Sequence, residues 1–135
     1  MDCIFCKIIS GEIPSYKIYE DEKSLAFLDI GPVSHGHALI VPKKHYTNFE
    51  EISEEDLCHV IMTVKKIGKA IKESLSIEGY NVTVNNDPIA GQIVPHLHFH
   101  IIPRVEGDGL KLWAGGEYKE GEALTVAEKI KKQLI

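Results

Sequence analysis

The run His96-Leu97-His98-Phe99-His100-Ile101-Ile102 admits few folds. Histidine and apolar residues alternate with period two, the side-chain period of a β-strand, in which successive residues point to opposite faces. A strand over 96–102 projects His96, His98 and His100 to one side and sends Leu97, Phe99 and Ile101 into an apolar layer. Such a strand needs a sheet around it and a cover on its apolar face. The cover is legible too. Ser53 is a suitable N-cap, Glu54, Glu55 and Asp56 complement the positive end of a helix dipole, and Leu57, Val60, Ile61, Val64, Ile67 and Ile71 recur at helical spacing.

The remaining elements follow from local pattern. Residues 4–9 read as a short helix closed by Ser10-Gly11 and barred from continuing by Pro14. Residues 16–20 and 23–29 read as a hairpin around a charged turn, 37–41 as a third strand, 80–84 as another, and 124–134 as a C-terminal helix. Strands arriving mostly as hairpins favour an antiparallel sheet. The expected class is therefore α+β: about five antiparallel strands, one long helix and short terminal helices. At 135 residues the chain is the size of one domain, 1–135, with its motifs in 3–104 and an extension over 105–135.

Composition excludes several partners. A net charge of −5 opposes extensive contact with nucleic-acid backbone, whose binding draws on many lysines and arginines. No stretch has the apolar length of a membrane span. The N-terminus lacks the basic and apolar blocks of a secretory signal, so the expected compartment is cytoplasmic. Three cysteines there do not suggest a disulfide framework, which leaves the Cys3/Cys6 pair to be explained.

Three imidazoles on one strand face are hard to explain by packing. They suit either a shared metal ion or catalysis, and spacing does not separate the two. The longer segment Asn85-Asn86-Asp87-Pro88-Ile89-Ala90-Gly91-Gln92-Ile93-Val94-Pro95-His96-Leu97-His98-Phe99-His100-Ile101-Ile102 resembles the signature of the histidine-triad (HIT) superfamily. Three upstream blocks resemble the family's others, in the same order: Ile4-Phe5-Cys6-Lys7-Ile8-Ile9, Leu25-Ala26-Phe27-Leu28-Asp29 and His37-Ala38-Leu39-Ile40-Val41-Pro42-Lys43-Lys44-His45. Asn85 stands where the Hint branch has asparagine and the Fhit branch usually glutamine, which favours a Hint-like protein.

The resemblance implies that His98 attacks the α-phosphorus of a purine nucleotide conjugate to give a nucleotidyl-histidine that water cleaves, with His100 contacting the phosphate. It implies a nucleotide site of Phe5, Phe27, Asp29, Ile30, Leu39, Asn85, Gly91, Gln92, Ile93, His98 and His100, with His37 behind the triad. Asp29 is the expected ribose acceptor, Phe5, Phe27, Ile30 and Leu39 the base slot, and the amides around Gly91-Gln92 an anion cradle. Ile93 departs from the serine of eukaryotic Hint proteins and cannot donate a proton to a leaving group. Homodimers are usual in this branch, with the C-terminal segment reaching the neighbour's site.

Cys3 and Cys6, three apart, have the spacing of half a zinc site. Two buried cysteines used as small apolar residues, or a redox pair, are the alternatives. Some prokaryotic histidine-triad proteins and galactose-1-phosphate uridylyltransferases complete such a site with two histidines, which by position are His45 and His96. Cys58 reads as half-buried packing, and His35 and His59 as surface residues.

The leading expectation is thus a nucleoside phosphoramidase releasing AMP or GMP. The rivals are a dinucleoside polyphosphate hydrolase, a purine-nucleotide binding module with vestigial catalysis, and a zinc hydrolase that uses all three histidines as ligands.

Overall fold

A computed structural model describes residues 2–134. The elements run α1 (Ile4–Ser10), β1 (Lys17–Glu20), β2 (Ser24–Leu28), β3 (Ala38–Pro42), α2 (Glu54–Ser74), β4 (Gly79–Val84), a 3-10 turn (Pro88–Ala90), β5 (Phe99–Arg104) and α3 (Glu122–Gln133). The five strands form one antiparallel sheet in the order β1-β2-β3-β5-β4. The expected α+β architecture is the one observed. No helix among the described residues is long and apolar enough to cross a membrane.

Period two divides the sheet into two faces. Ala26, Ala38, Ile40, Phe99 and Ile101 pack under α2 against Val60, Val64, Ile67 and Ile71, and Leu97 joins this layer from just before β5. On the opposite face Leu25, Phe27, Leu39 and Val41 gather with Cys3 and Phe5 around α1. Register carries the second face across to the histidines: Phe27 pairs with Leu39, Leu39 with His100, and His100 with Thr83. Ser53 caps α2 by accepting from the Asp56 amide at 3.2 Å.

Three local expectations need correction: the start of β5, the buried face of α2 and the place of His59. The strand over 96–102 begins only at Phe99. Ahead of it, His96 N–H goes to the Val94 carbonyl (2.8 Å) and Leu97 N–H to the Tyr46 carbonyl (2.7 Å), so these amides bind a turn and a loop instead of a sheet ladder. Cys58 and Ile61 are exposed, because the buried stripe of α2 runs through Val60, Val64, Ile67 and Ile71. His59 is partly buried and bonds Asp21 (2.9 Å), which also accepts from the Lys23 and Ser24 amides and ties the β1–β2 turn to α2. The C-terminal helix forms, yet none of its described residues is buried.

Candidate active site

His96, His98 and His100 share the sheet face of Phe5 and Leu39, opposite Leu97, Phe99 and Ile101, but they meet different partners along it. Two separate constellations result.

The first unites Cys3, Cys6, His45 and His96, whose donor atoms all lie within 4.8 Å of one another. Cys3 caps α1, its sulfur accepting from the Cys6 amide at 3.4 Å, and one helical turn brings the two sulfurs together. His45 follows β3, and His96 is wholly buried. His96 Nε2–H donates to the Pro42 carbonyl (2.9 Å), so in the neutral ring Nδ1 keeps its lone pair and faces the cluster. Burial depresses the His96 pKa to about 4, which favours this neutral form. Burial and the neighbouring Cys3 raise that of the Cys6 thiol.

The spacings suit a tetrahedral ion. Bonds of about 2.3 Å to sulfur and 2.05 Å to nitrogen require edges of roughly 3.5 Å between sulfur and nitrogen and roughly 3.3 Å between nitrogens. The corresponding separations are 3.4 Å (Cys3–His96), 3.4 Å (Cys6–His45), 3.6 Å (Cys6–His96) and 3.1 Å (His45–His96). A Cys-Cys-His-His set with these edges can hold a metal ion.

The second constellation contains His98, His100, His37 and Asp29. His98 is buried, and its Nδ1 lies 2.7 Å from the His96 carbonyl oxygen. An oxygen acceptor requires a proton on Nδ1, so neutral His98 carries its free lone pair on Nε2. Burial lowers the His98 pKa, partly opposed by the backbone bond and by Asp29. Phe5 meets the His98 ring edge-on, centroids 5.0 Å apart.

A second tautomer chain fixes His100. The Val33 amide donates to His37 Nδ1 (3.0 Å), so neutral His37 bears its proton on Nε2 and donates to His100 Nδ1 (2.9 Å). His100 is left with its proton on Nε2. That nitrogen is buried and has no hydrogen-bond partner among the described residues. Burial, with repulsion from His98 and His37, brings the His100 pKa down to about 4, and burial also lowers that of His37. The result is an unpaired buried donor beside a ring with a free lone pair, the ring centroids 5.0 Å apart. The same chain argues against a second ion among Asp29, His37 and His100, although their atoms cluster. His37 Nε2 is occupied by a proton as long as Nδ1 accepts from Val33.

Among the other expected contacts, Asp29 spends Oδ1 on the Gly31 amide (2.8 Å) and places Oδ2 3.8 Å from His37 Nε2. Phe5, Phe27 and Leu39 are sealed into the second core at 3–6% exposure, whereas Ile30 is 87% exposed, so the four do not line one open slot. Nor does the pair of amides at Gly91 and Gln92 stand free as a cradle: they donate to the Pro88 (3.0 Å) and Asp87 (3.2 Å) carbonyls. Gly91 is required by its backbone, at φ +97° with Asn85 Nδ2 3.4 Å from where a Cβ would lie. Asn85 sits close by, and Ile93 is 92% exposed.

Sequence reasoning missed the fastening of this loop. The Gln92 side chain is buried, accepts from the Asp87 amide (2.8 Å), and donates to the Thr47 (2.6 Å) and Val94 (3.2 Å) carbonyls. Asn86 Oδ1 accepts from the Phe49 amide at 2.8 Å. The only sequence signal was a cluster of Asn, Asp and Gln, which marks a turn without saying what it bonds.

A family model described as the HIT domain matches residues 10–107. The chain belongs to the HIT family. It is 53% identical over 129 residues to an uncharacterised HIT-like protein of Methanocaldococcus jannaschii, covering 96% of this chain and 98% of that one. It is 52% identical over 104 residues to a Schizosaccharomyces pombe protein named adenosine 5'-monophosphoramidase, covering 77% and 75% respectively. A crystal structure of a HIT-family protein from Bacillus subtilis superposes with a TM-score of 0.92 at 43% identity, covering all of this chain and 99% of that one. These relatives support the Hint-like branch, and in this HIT protein the histidine run therefore has the fold context that its resemblance implied.

Proposed function

We propose that this HIT protein is a hydrolase acting on the α-phosphate of purine nucleotide conjugates, in the first place a nucleoside phosphoramidase releasing AMP or GMP. The observation that carries the reading is the complementary protonation of two neighbouring histidines: a lone pair on His98 Nε2 and an unpaired N–H on His100 Nε2. A phosphoryl group needs both, a nucleophile at phosphorus and a donor for the charge gathering on its non-bridging oxygens. The activity named for the S. pombe relative supports the same chemistry.

In the proposed reaction His98 Nε2 forms a bond to phosphorus as the bond to the leaving group breaks. His98 Nδ1–H stays on the His96 carbonyl and stabilises the positive charge that the ring acquires. His100 Nε2–H donates to a non-bridging oxygen. For a phosphoramidate the first step exchanges one P–N bond for another, so the intermediate is not a deep trap, and water then displaces His98. Asp29 accepts from ribose hydroxyls. Asn85, Gly91, Gln92 and Ile93 shape the phosphate side, Gln92 from beneath. Phe5, Phe27 and Leu39 back the site from the core, and the exposed Ile30 is the one of the four placed to touch the base. Ile93 supplies no proton and is itself 92% exposed, so the leaving amine takes one from solvent.

Zinc is the ion proposed for Cys3, Cys6, His45 and His96, where its role is to fasten α1, the loop after β3 and the segment before β5 together. This assignment takes His96 out of the chemistry. A second copy of the chain is the proposed partner, because α3 has no buried described residue and Leu124, Ile130, Leu134 and Trp113 are exposed. The proposed setting is cytoplasmic, where Cys58 stays reduced and Cys3 and Cys6 serve the ion.

The test offers the protein an adenosine phosphoramidate and, separately, diadenosine triphosphate, then quenches with denaturant and looks for mass added at His98. Turnover of the first with an adenylylated His98 is expected. Faster turnover of the second would establish polyphosphate hydrolysis instead, and no turnover or adduct with either would sink the catalytic reading.

A further inference from the structure

One peptide group, His96–Leu97, connects the cysteine–histidine cluster to the attacking ring. Its carbonyl accepts the His98 Nδ1 proton at 2.7 Å, and its N–H donates to the Tyr46 carbonyl at 2.7 Å. A peptide is planar with C=O and N–H on opposite sides, so seating the N–H on Tyr46 aims the carbonyl the other way, toward His98. Both anchors of this peptide adjoin the metal set. His96 bears the carbonyl, and Tyr46 follows His45 directly. The sheet does not hold the peptide, because β5 begins only at Phe99. His96 is held otherwise by its Nε2–H bond to Pro42 and by the Val94 carbonyl that accepts its amide.

We infer that His45 and His96, in sharing an ion with Cys3 and Cys6, select the tautomer of His98 by fixing the His96–Leu97 peptide between them. While both histidines are held, the carbonyl stays on His98 Nδ1–H and the lone pair stays on Nε2. When they are released, the peptide turns more freely and the His98 proton distributes over both nitrogens, so a fraction of the molecules presents an N–H where a nucleophile is required. The site is thus more than a staple for the fold: His96 is a positioning residue that acts on the chemistry through its main chain. Groups hydrogen-bonded to a metal-bound histidine typically cost about 10- to 100-fold in metal affinity or activity when lost, which sets the scale expected for this peptide. The inference rests on His98 being the nucleophile and on the cluster holding zinc.

The experiment reads the tautomer directly, without substrate. Protein labelled with 15N in histidine is compared zinc-loaded, after chelation, and after zinc is restored, and the two His98 ring nitrogens are assigned by long-range proton–nitrogen correlation. Cys6→Ser and His45→Ala, each lacking one ligand, provide folded samples if chelation unfolds the wild type; amide dispersion reports folding throughout. The expected loaded protein shows one protonated Nδ1 and one bare Nε2, and ligand loss moves the two signals toward each other, reversibly with zinc for the wild type. Single-turnover adduct formation should slow by about tenfold or more in step with this change. A folded metal-free sample in which His98 keeps the Nδ1–H form overturns the inference, as does a wild type that takes up no zinc. An intact tautomer response without any adduct sinks the proposed reaction but leaves the coupling standing. An adduct forming at full rate without metal does the reverse.

Discussion

Gln92→Ala separates a loop fastener from a nucleotide contact. The side chain is 6% exposed and makes three hydrogen bonds, to the Asp87 amide and to the Thr47 and Val94 carbonyls. Each contributes a net ~0.5–1.5 kcal/mol, and a partner left dry costs ~1–3 kcal/mol. Water entering the vacated space recovers part of this, which gives an expected destabilisation of about 2–4 kcal/mol. Backbone strain adds to the argument. Asp87 sits at φ 74°, ψ 155°, a region that non-glycine residues occupy at a cost of about 1–3 kcal/mol, and its amide is one of the groups that Gln92 holds. Urea unfolding measures the loss, and turnover of an adenosine phosphoramidate measures its functional side. With the loop loosened, kcat should fall along with stability. A variant that unfolds within ~0.5 kcal/mol of wild type and shows only a raised KM would refute the reasoning and return Gln92 to the role of a direct ligand contact.

Other outcomes follow from the same geometry. His100→Asn should flatten the acid limb of the stability curve. In the folded protein His100 binds its proton only near pH 4, against about 6.5 when unfolded, so the unfolded state holds more protons between these values and stability drops as pH falls through that window. The drop is about 3 kcal/mol at most for this one group, and the difference between wild type and variant isolates it from His37, His98 and Asp29, which face the same ring. A parallel pair of curves would contradict the assignment. Ile93→Ser should leave stability within about 0.5 kcal/mol, as suits an exposed site, and accelerate phosphoramidate turnover by restoring a donor near the leaving group; equal or slower kinetics count against a leaving-group role for this position. Removal of residues 121–135 should shift sedimentation from the proposed dimer toward monomer while the urea midpoint measured at low protein concentration stays put, since α3 has no buried described residue. An unchanged sedimentation coefficient would exclude α3 from the interface.

Much of this molecule follows from pattern alone. Period two and period 3.6 placed the sheet strands and α2, and Ser53 its start, because backbone geometry imposes those periods on any buried face. The histidine run, with its companion blocks, suffices to mark the family, whose domain model matches residues 10–107. Other features are properties of the packed chain. That His96 joins Cys3, Cys6 and His45 while His100 meets His37 depends on which elements arrive beside each ring, and the ladder itself starts three residues later than the alternation does. The core burial of Phe5, Phe27 and Leu39 beside an exposed Ile30 depends on how α1 lies on the sheet. The protonation of His98 and His100 depends on acceptors and donors, the His96 carbonyl and the Val33 amide through His37, that take their places only in three dimensions. Sequence specifies which groups are present and the period at which they face a core. Tertiary structure decides which nitrogen of each imidazole carries the proton, because that choice belongs to the hydrogen-bond partner and not to the ring.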